Sequence, residues 1–320
     1  MMKLIIQIPC YNEEKTLGIT LAALPRAIDG CETVELLVID DGSTDRTADV
    51  ARQFGVDYII RHPSNRGLAR AFMTGLTTSL DHGADIIVNT DADNQYDARD
   101  IPTLIAPILA HRAEVVIGAR PIEQIKHFSP IKKLLQRLGS WAVRIASDTD
   151  VADAPSGFRA MSRSAAQKLV VFSDYTYTLE TLIQAGQKNM AVTSVPIRVN
   201  DELRPSRLMK SMPSYIRRSL ITMLRIFVIY RPFRFFASIG AMIFTGGFII
   251  GLRFLGQYLG GNGSGHTQSL VLASVLLGMG FQTFLVAFIA DLLAANRKLS
   301  EEIRYMIGAL PKRARNNGES

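Results

Sequence analysis

Two runs of this chain tolerate only an apolar environment. Residues 235–252 carry no charge, 254–259 extend that run past Arg253, and residues 269–290 carry none either. About 20 consecutive apolar residues let an α-helix cross the hydrocarbon of a bilayer, so both runs qualify as transmembrane spans. The alternative is a buried hairpin inside a soluble core. The connector between the runs is uncharged apart from His266, while Arg231 and Arg234 precede the pair and Arg297 and Lys298 follow it. By the positive-inside rule, both chain ends are expected in the cytoplasm.

Apolar residues make up 48% of the 320-residue chain and are concentrated after Phe233. The net charge of +7 is equally uneven. Arg204, Arg207, Lys210, Arg217, Arg218, Arg225, Arg231 and Arg234 follow one another without an intervening acid. A basic block leading into an apolar segment points to an anionic membrane surface more than to nucleic acid, at about 1 kcal/mol for each charge near the lipid. Within it, Ile216, Leu220, Met223, Leu224 and Phe227 recur at helical spacing, with Arg217, Arg218 and Arg225 off that line. The pattern predicts an amphipathic helix in the membrane interface, or one docked on the rest of the protein. Cys10 and Cys31 show no metal spacing and predict a reduced compartment without a disulfide framework. Leu4-Ile5-Ile6 before Gln7 is too short for the apolar core of a signal peptide.

The first 120 residues alternate strand and helix signals. Strands are expected at 4–8, 34–39, 56–60, 86–88 and 115–117. Helices are expected at about 13–27, from a Ser43-Thr44 cap to about 54, at 68–80 and at 98–111. Such alternation means βαβ units and a mostly parallel sheet. A basic helix over 131–145, a Pro-Ser-Gly turn at 155–157, helices near 164–170 and 179–186, and a strand over 192–199 follow.

The 86–88 strand stops abruptly on Asp91-Ala92-Asp93. In an open α/β sheet, ligands bind in the crevice beyond the strand ends, which is where these acids fall. Two hard carboxylates with the Gln95 amide suit Mg²⁺ or Mn²⁺, and no His or Cys argues for zinc. An acidic loop that merely caps the next helix would read the same way. Asp40-Asp41-Gly42-Ser43 ends the second strand in like fashion, with a carboxylate able to accept from a base or ribose. Pro9-Cys10-Tyr11-Asn12-Glu13 adds a third loop on the same edge, with a ring able to pack on a nucleobase.

These loops, together with Asn65-Arg66-Gly67 and Ser156-Gly157-Phe158-Arg159, resemble family 2 of the inverting glycosyltransferases. Within it the chain is most similar to the dolichyl-phosphate mannose synthase and bacterial polyprenyl-phosphate glycosyltransferase branch. The motifs run in the family's order over residues 4 to about 208. The resemblance implies a GT-A type, Rossmann-like α/β domain over 1–208, an interfacial helix over 209–232, a transmembrane hairpin over 233–293 and a cytoplasmic tail over 294–320. It implies that Pro9, Tyr11, Glu13, Asp41 and Asp91 bind the nucleotide, and that Asp91, Asp93 and Gln95 hold Mg²⁺ or Mn²⁺. Arg120 would reach phosphate, Asp153 would stand at the reaction centre, and Arg204, Ser206 and Arg207 would meet the acceptor phosphate. Asp93, Asp153, Arg120 and Arg204 would carry the chemistry. Lys133 and Arg137 align ambiguously.

The activity so implied is transfer of one sugar, with inversion, from a UDP- or GDP-sugar, UDP-glucose-like by preference, to undecaprenyl or dolichyl phosphate. It would take place at the cytoplasmic face of the inner membrane, in a possible homo-oligomer with no nucleic-acid partner. The Gln-x-x-Arg-Trp signature of processive polysaccharide synthases is absent, since Trp141 follows Leu138-Gly139-Ser140. Two alternatives remain: a membrane glycosyltransferase acting on a diacylglycerol or glycan hydroxyl, and a non-catalytic sugar-nucleotide-binding scaffold.

Overall fold

The computed structural model describes residues 2–121, 134, 138, 140, 141, 143–145, 147, 149, 151–171, 177–201, 212–260 and 267–309. The chain divides into two compact units, Met1–Leu220 and Ile221–Leu310.

The first unit is built on a seven-stranded sheet. Its strands are β1 (Lys3–Cys10), β2 (Thr33–Asp40), β3 (Tyr58–Arg61), β4 (Ile86–Asn89), β5 (Val115–Ala119), β6 (Arg159–Ser162) and β7 (Val192–Pro196), in the order β3-β2-β1-β4-β6-β5-β7. All neighbours are parallel except at β6, which runs antiparallel to both β4 and β5. Continuous apolar runs in β1, β2 and β4 mark strands covered on both faces, and each is almost wholly buried. Leu4, Ile6 and Ile8 form one core with Leu17 and Leu21 of α1 (Leu17–Ala23) and Leu104 and Ile108 of α4 (Ile101–Leu109). On the other face, Gly75 of α3 (Leu68–Asp81) lies so close to Gln7 that an added Cβ would stand 2.6 Å from its Oε1.

Several boundaries differ from the sequence reading for identifiable reasons. Residues 13–16 form a separate turn in which Glu13 accepts from Thr16 and Leu17, so α1 starts at Leu17. It stops at Ala23, because Leu24 precedes a proline and is extended. Helix α2 (Thr47–Gln53) is capped by Asp45, which accepts from the Thr47 N–H, while Ser43 turns back to accept from Asn12. A 3₁₀ turn at Ala98–Asp100 leads into α4. Strand β6 lacks any β-branched or aromatic residue, and its pattern predicted no strand. Helices α5 (Arg163–Lys168) and α6 (Thr178–Gln187) complete the unit. The basic helix expected over 131–145 falls mostly outside the described residues.

Helix α7 (Met212–Tyr230) follows, then α8 (Pro232–Leu259) and α9 (Thr267–Ala309). Helices α8 and α9 are both long and apolar enough to cross a membrane, and little of either apolar stretch is buried. They pack through small residues. A Cβ at Gly240 would stand 3.1 Å from the Gly280 carbonyl oxygen, and one at Gly247 2.8 Å from Leu276 Cβ. Elsewhere on α8, a Cβ at Gly246 would meet nothing within 4 Å and one at Gly251 only the Ala273 methyl at 3.8 Å. The outward faces carry Met242, Ile249, Phe281 and Ile289, all strongly exposed.

Candidate active site

The carboxyl ends of β1, β2 and β4 deliver three loops to one edge of the sheet. Positive φ at Asn12 lets the loop after β1 turn over the loop after β2. There the Asn12 N–H donates to Ser43 Oγ at 2.9 Å, while Asn12 Oδ1 accepts from the Thr44 N–H at 2.8 Å. Glu13 is buried, its N–H donating to Thr47 Oγ1 and its carboxylate accepting from Thr16 Oγ1. Tyr11 sits at the crest, 40% exposed, where a ring can lie against a planar base. Pro9 is buried inside β1 opposite Ile39.

Asp41, expected to bind the nucleotide, sits at this edge with its carboxylate also engaged by backbone amides. Its carboxylate accepts from the Arg66 and Gly67 N–H groups at 3.0 and 2.8 Å and lies 2.6 Å from His62 Nδ1. It therefore shapes the Asn65–Gly67 turn. Gly42 makes this possible: its φ is +74°, and a Cβ there would lie 2.5 Å from the Ser64 carbonyl carbon. Gly42, Ser43, Thr44, Arg61, His62 and Pro63 line a cleft beside this turn.

Beyond β4, the half-buried Asp91 and Asp93 stand one residue apart. Burial and the Asp93 charge raise the Asp91 carboxyl to about pKa 7, an unfavourable pairing that a divalent cation would relieve. Among the described residues no group of three His, Cys, Asp or Glu side chains gathers to hold a metal. Two acids alone leave coordination positions open for ligand oxygens, a donor set that fits Mg²⁺ or Mn²⁺. Asp93 accepts from the Gln95 N–H at 3.1 Å, and Asn94 takes positive φ to allow it.

This acidic loop is braced by residues that the sequence did not single out. The Tyr96 hydroxyl lies beside Asp91 and accepts from the Gly157 N–H at 3.0 Å. Asn200 donates through its backbone N–H to the Gln95 carbonyl and through Nδ2 to those of Asn94 and Tyr96. Asn89 links Gln7, the Gly157 carbonyl and the Tyr177 hydroxyl, each at 2.9 Å.

The reversal at β6 brings a fourth loop, Asp153–Phe158, to the same edge. Asp153 and Arg120 form a buried bidentate pair, so the arginine expected at phosphate is engaged by the acid expected at the reaction centre. Arg159 is fully buried and, among the described residues, no carboxylate touches it. It donates to the carbonyls of Ala154, Ser156 and Thr178 and to Thr181 Oγ1, and stacks over Tyr177 at 5.3 Å. Burial lowers its pKa. Gly157 presses on Asp91, since an added Cβ would lie 2.9 and 3.0 Å from the two carboxylate oxygens. Arg204, Ser206, Arg207, Lys133 and Arg137 lie outside the described residues.

The structure thus brings Asp91, Asp93, Gln95, Arg120 and Asp153 to the sheet edge where Tyr11, Glu13 and Asp41 also sit. The model of the family described as Glycosyl transferase family 2 matches residues 5–170. A UDP-N-acetylglucosamine–dolichyl-phosphate N-acetylglucosaminyltransferase of Methanococcus voltae is 31% identical over 216 residues, which are 60% of this chain and 83% of that protein. An undecaprenyl-phosphate mannosyltransferase of Micrococcus luteus is 26% identical over 218 residues, 65% of this chain and 88% of that one. Among solved structures, glucosyl-3-phosphoglycerate synthase from Mycobacterium tuberculosis, in complex with Mn²⁺, UDP and phosphoglyceric acid, superposes with a TM-score of 0.55. It is 21% identical, and the match covers 69% of this chain and 78% of that one. That likeness establishes the fold, a mixed sheet of GT-A type.

Proposed function

Since the chain belongs to glycosyl transferase family 2, we propose that it transfers a single sugar, with inversion, from a nucleotide sugar to a polyprenyl phosphate at the cytoplasmic face of a membrane. The observation that carries this reading is the meeting of two loops: Asp91 of the acidic loop beyond β4 abuts Gly157 of the loop that enters through β6. Relatives named for dolichyl-phosphate and undecaprenyl-phosphate transfer support the acceptor class. A UDP-glucose-like donor remains the preferred one.

In this reading Pro9, Tyr11, Glu13 and Asp41 hold the nucleoside. Asp91, Asp93 and Gln95 hold Mg²⁺ or Mn²⁺, which supplies positive charge to the departing diphosphate. A phosphate oxygen of the lipid, already anionic at neutral pH, attacks the anomeric carbon from the face opposite the diphosphate. No strong base is required, and the structure favours that economy of means: both Asp153 oxygens already accept from Arg120. Asp153 then acts by aiming Arg120, whose planar fork suits phosphate, with Arg204, Ser206 and Arg207 closing on the acceptor. Residues 1–208 form the catalytic domain, α7 lies in the interface, and both chain ends are cytoplasmic.

A hydroxyl acceptor would need a base and is the less favoured reading. Membranes containing the protein, supplied with undecaprenyl phosphate, Mg²⁺ or Mn²⁺ and a panel of labelled UDP- and GDP-sugars, should yield a labelled lipid that mild acid releases. The product should vanish with Asp93→Ala. No transfer from any donor, despite cation-dependent nucleotide binding, would overturn the proposal.

A further inference from the structure

The buried hydrogen bonds behind the acidic loop run in a fixed direction. The Phe72 and Gly157 carbonyls can only accept, so Gln7 turns Nε2 to the first and Asn89 turns Nδ2 to the second. Asn89 Oδ1 therefore faces Gln7 Nε2 at 2.9 Å, and the remaining Asn89 N–H goes to the Tyr177 hydroxyl, also at 2.9 Å. The Gly157 N–H approaches the Tyr96 hydroxyl in the same way, at 3.0 Å. Both phenols thus accept on one side, and each has its own proton left to give.

Asp91 is the anionic group beside them. The Tyr96 hydroxyl stands next to its carboxylate. A Cβ added to Gly157 would lie 2.9 and 3.0 Å from the two Asp91 oxygens and 3.1 Å from the Tyr177 hydroxyl, so all three atoms border one small space. Burial and the Asp91 charge raise the pKa of both phenols, which therefore keep their protons at neutral pH. Gln7, Asn89, Tyr96 and Tyr177 are almost wholly buried, and water has little access to compete for those protons. The rings are held independently of the hydroxyls: Tyr96 stacks on Phe158 with centroids 5.0 Å apart, and Tyr177 on Phe72 at 3.9 Å. Asp93 accepts instead from the Gln95 N–H within its own loop.

We propose that Tyr96 and Tyr177 are positioning residues for the cation: their hydroxyl protons take the inward lone pairs of Asp91 and leave its outward ones aimed at the metal. The inference rests on the reading of Asp91 and Asp93 as cation ligands given above. It assigns the two acids unequal parts, Asp91 oriented before the cation arrives and Asp93 turning onto it.

Binding of Mn²⁺ to the full chain in detergent micelles, with UDP or GDP present, is followed by loss of the free ion's electron paramagnetic resonance signal and needs no turnover. Tyr96→Phe and Tyr177→Phe each remove a proton donor and keep the stacked ring. Each should raise the Mn²⁺ dissociation constant about tenfold or more, as expected of groups that orient a metal ligand. Because both hydroxyls act through Asp91, saturating Mn²⁺ should bring sugar transfer close to the parent rate, so the change falls on the cation requirement and not on kcat. Where phenylalanine destabilises the fold, 4-fluorophenylalanine at the same position fills the hydroxyl's volume without supplying a proton.

A merely structural pair gives the opposite pattern, a lowered thermal midpoint with the Mn²⁺ dissociation constant unchanged, and that result overturns the proposal. A rate that stays depressed at saturating Mn²⁺ overturns it too, since the hydroxyls would then serve something other than the cation. Sugar transfer with Mn²⁺ uptake alike in parent and variants sinks the positioning role alone. Mn²⁺ uptake that weakens in the variants, without transfer to any acceptor by the parent, sinks the proposed activity alone.

Discussion

Arg120 and Asp153, 33 residues apart in the chain, meet as a buried two-pronged pair, Nε to Oδ2 at 2.6 Å and Nη2 to Oδ1 at 3.0 Å. Asp153→Asn leaves a buried guanidinium without its counter-charge. The expected cost is about 3–5 kcal/mol of stability, seen as a lowered thermal midpoint. Transfer to lipid phosphate should weaken without vanishing if, as proposed, the acid aims Arg120 and removes no proton. Complete loss of transfer in a variant that still folds would favour a hydroxyl acceptor.

Asn200 closes on three successive carbonyls, those of Asn94, Gln95 and Tyr96, around the turn that follows Asp93. Asn200→Ala releases the two side-chain bonds. Supporting residues around metal ligands typically contribute 10–100-fold in affinity, so the cation concentration for half-maximal transfer should rise about tenfold. A Mn²⁺ titration of initial rates measures this, and the nucleoside diphosphate should bind as before without cation.

Two glycines should fail for different reasons. Gly42→Ala places a side chain at φ +74° against the Ser64 backbone, and should destabilise the fold by about 1–3 kcal/mol. Gly157→Ala meets a different obstacle, the Asp91 oxygens and the Tyr177 hydroxyl at 3.1 Å. Its thermal midpoint should fall less than that of Gly42→Ala, while its cation requirement rises. Calorimetry beside a metal titration separates the two.

The cysteines should react unequally. Burial holds the Cys10 thiol well above its ordinary range, and its Sγ donates to the Ile8 carbonyl. Cys31 is raised less and is partly open. A thiol reagent at pH 8 should modify Cys31 in the folded protein and both residues after denaturation.

The parallel core was legible because β1, β2 and β4 each carry a run of apolar residues, Leu4–Ile6, Leu36–Ile39 and Ile86–Val88, and the acids were legible because they stand just beyond those runs. Helix α3 matched its expected span to within one residue. Strand β6 was not legible: Arg159-Ala160-Met161-Ser162 has neither alternation nor β-branching, and it is a strand because β4 and β5 leave a gap of one strand width between them. Tyr96, Asn89 and Asn200 were hidden for a related reason. Each acts on a partner that folding brings near, Asn200 from more than 100 residues away, and no local pattern marks such a residue. Asp41 shows the opposite limit, since its position at the sheet edge was evident while its use on the Arg66 and Gly67 amides was not.

The backward course of β6 has a consequence for how such a protein can diversify. The chain leaves the sheet at Arg120 and returns at Arg159 on the same edge, because β5 and β6 are antiparallel neighbours. Everything between is a closed excursion whose length and composition are free of the sheet's register. Its two ends carry the Arg120–Asp153 pair and the Gly157 contact with Asp91. A change of length within that excursion leaves the pairing of β5 with β6 as it is, because the two strands meet through Val115–Ile117 and Arg159–Met161 alone.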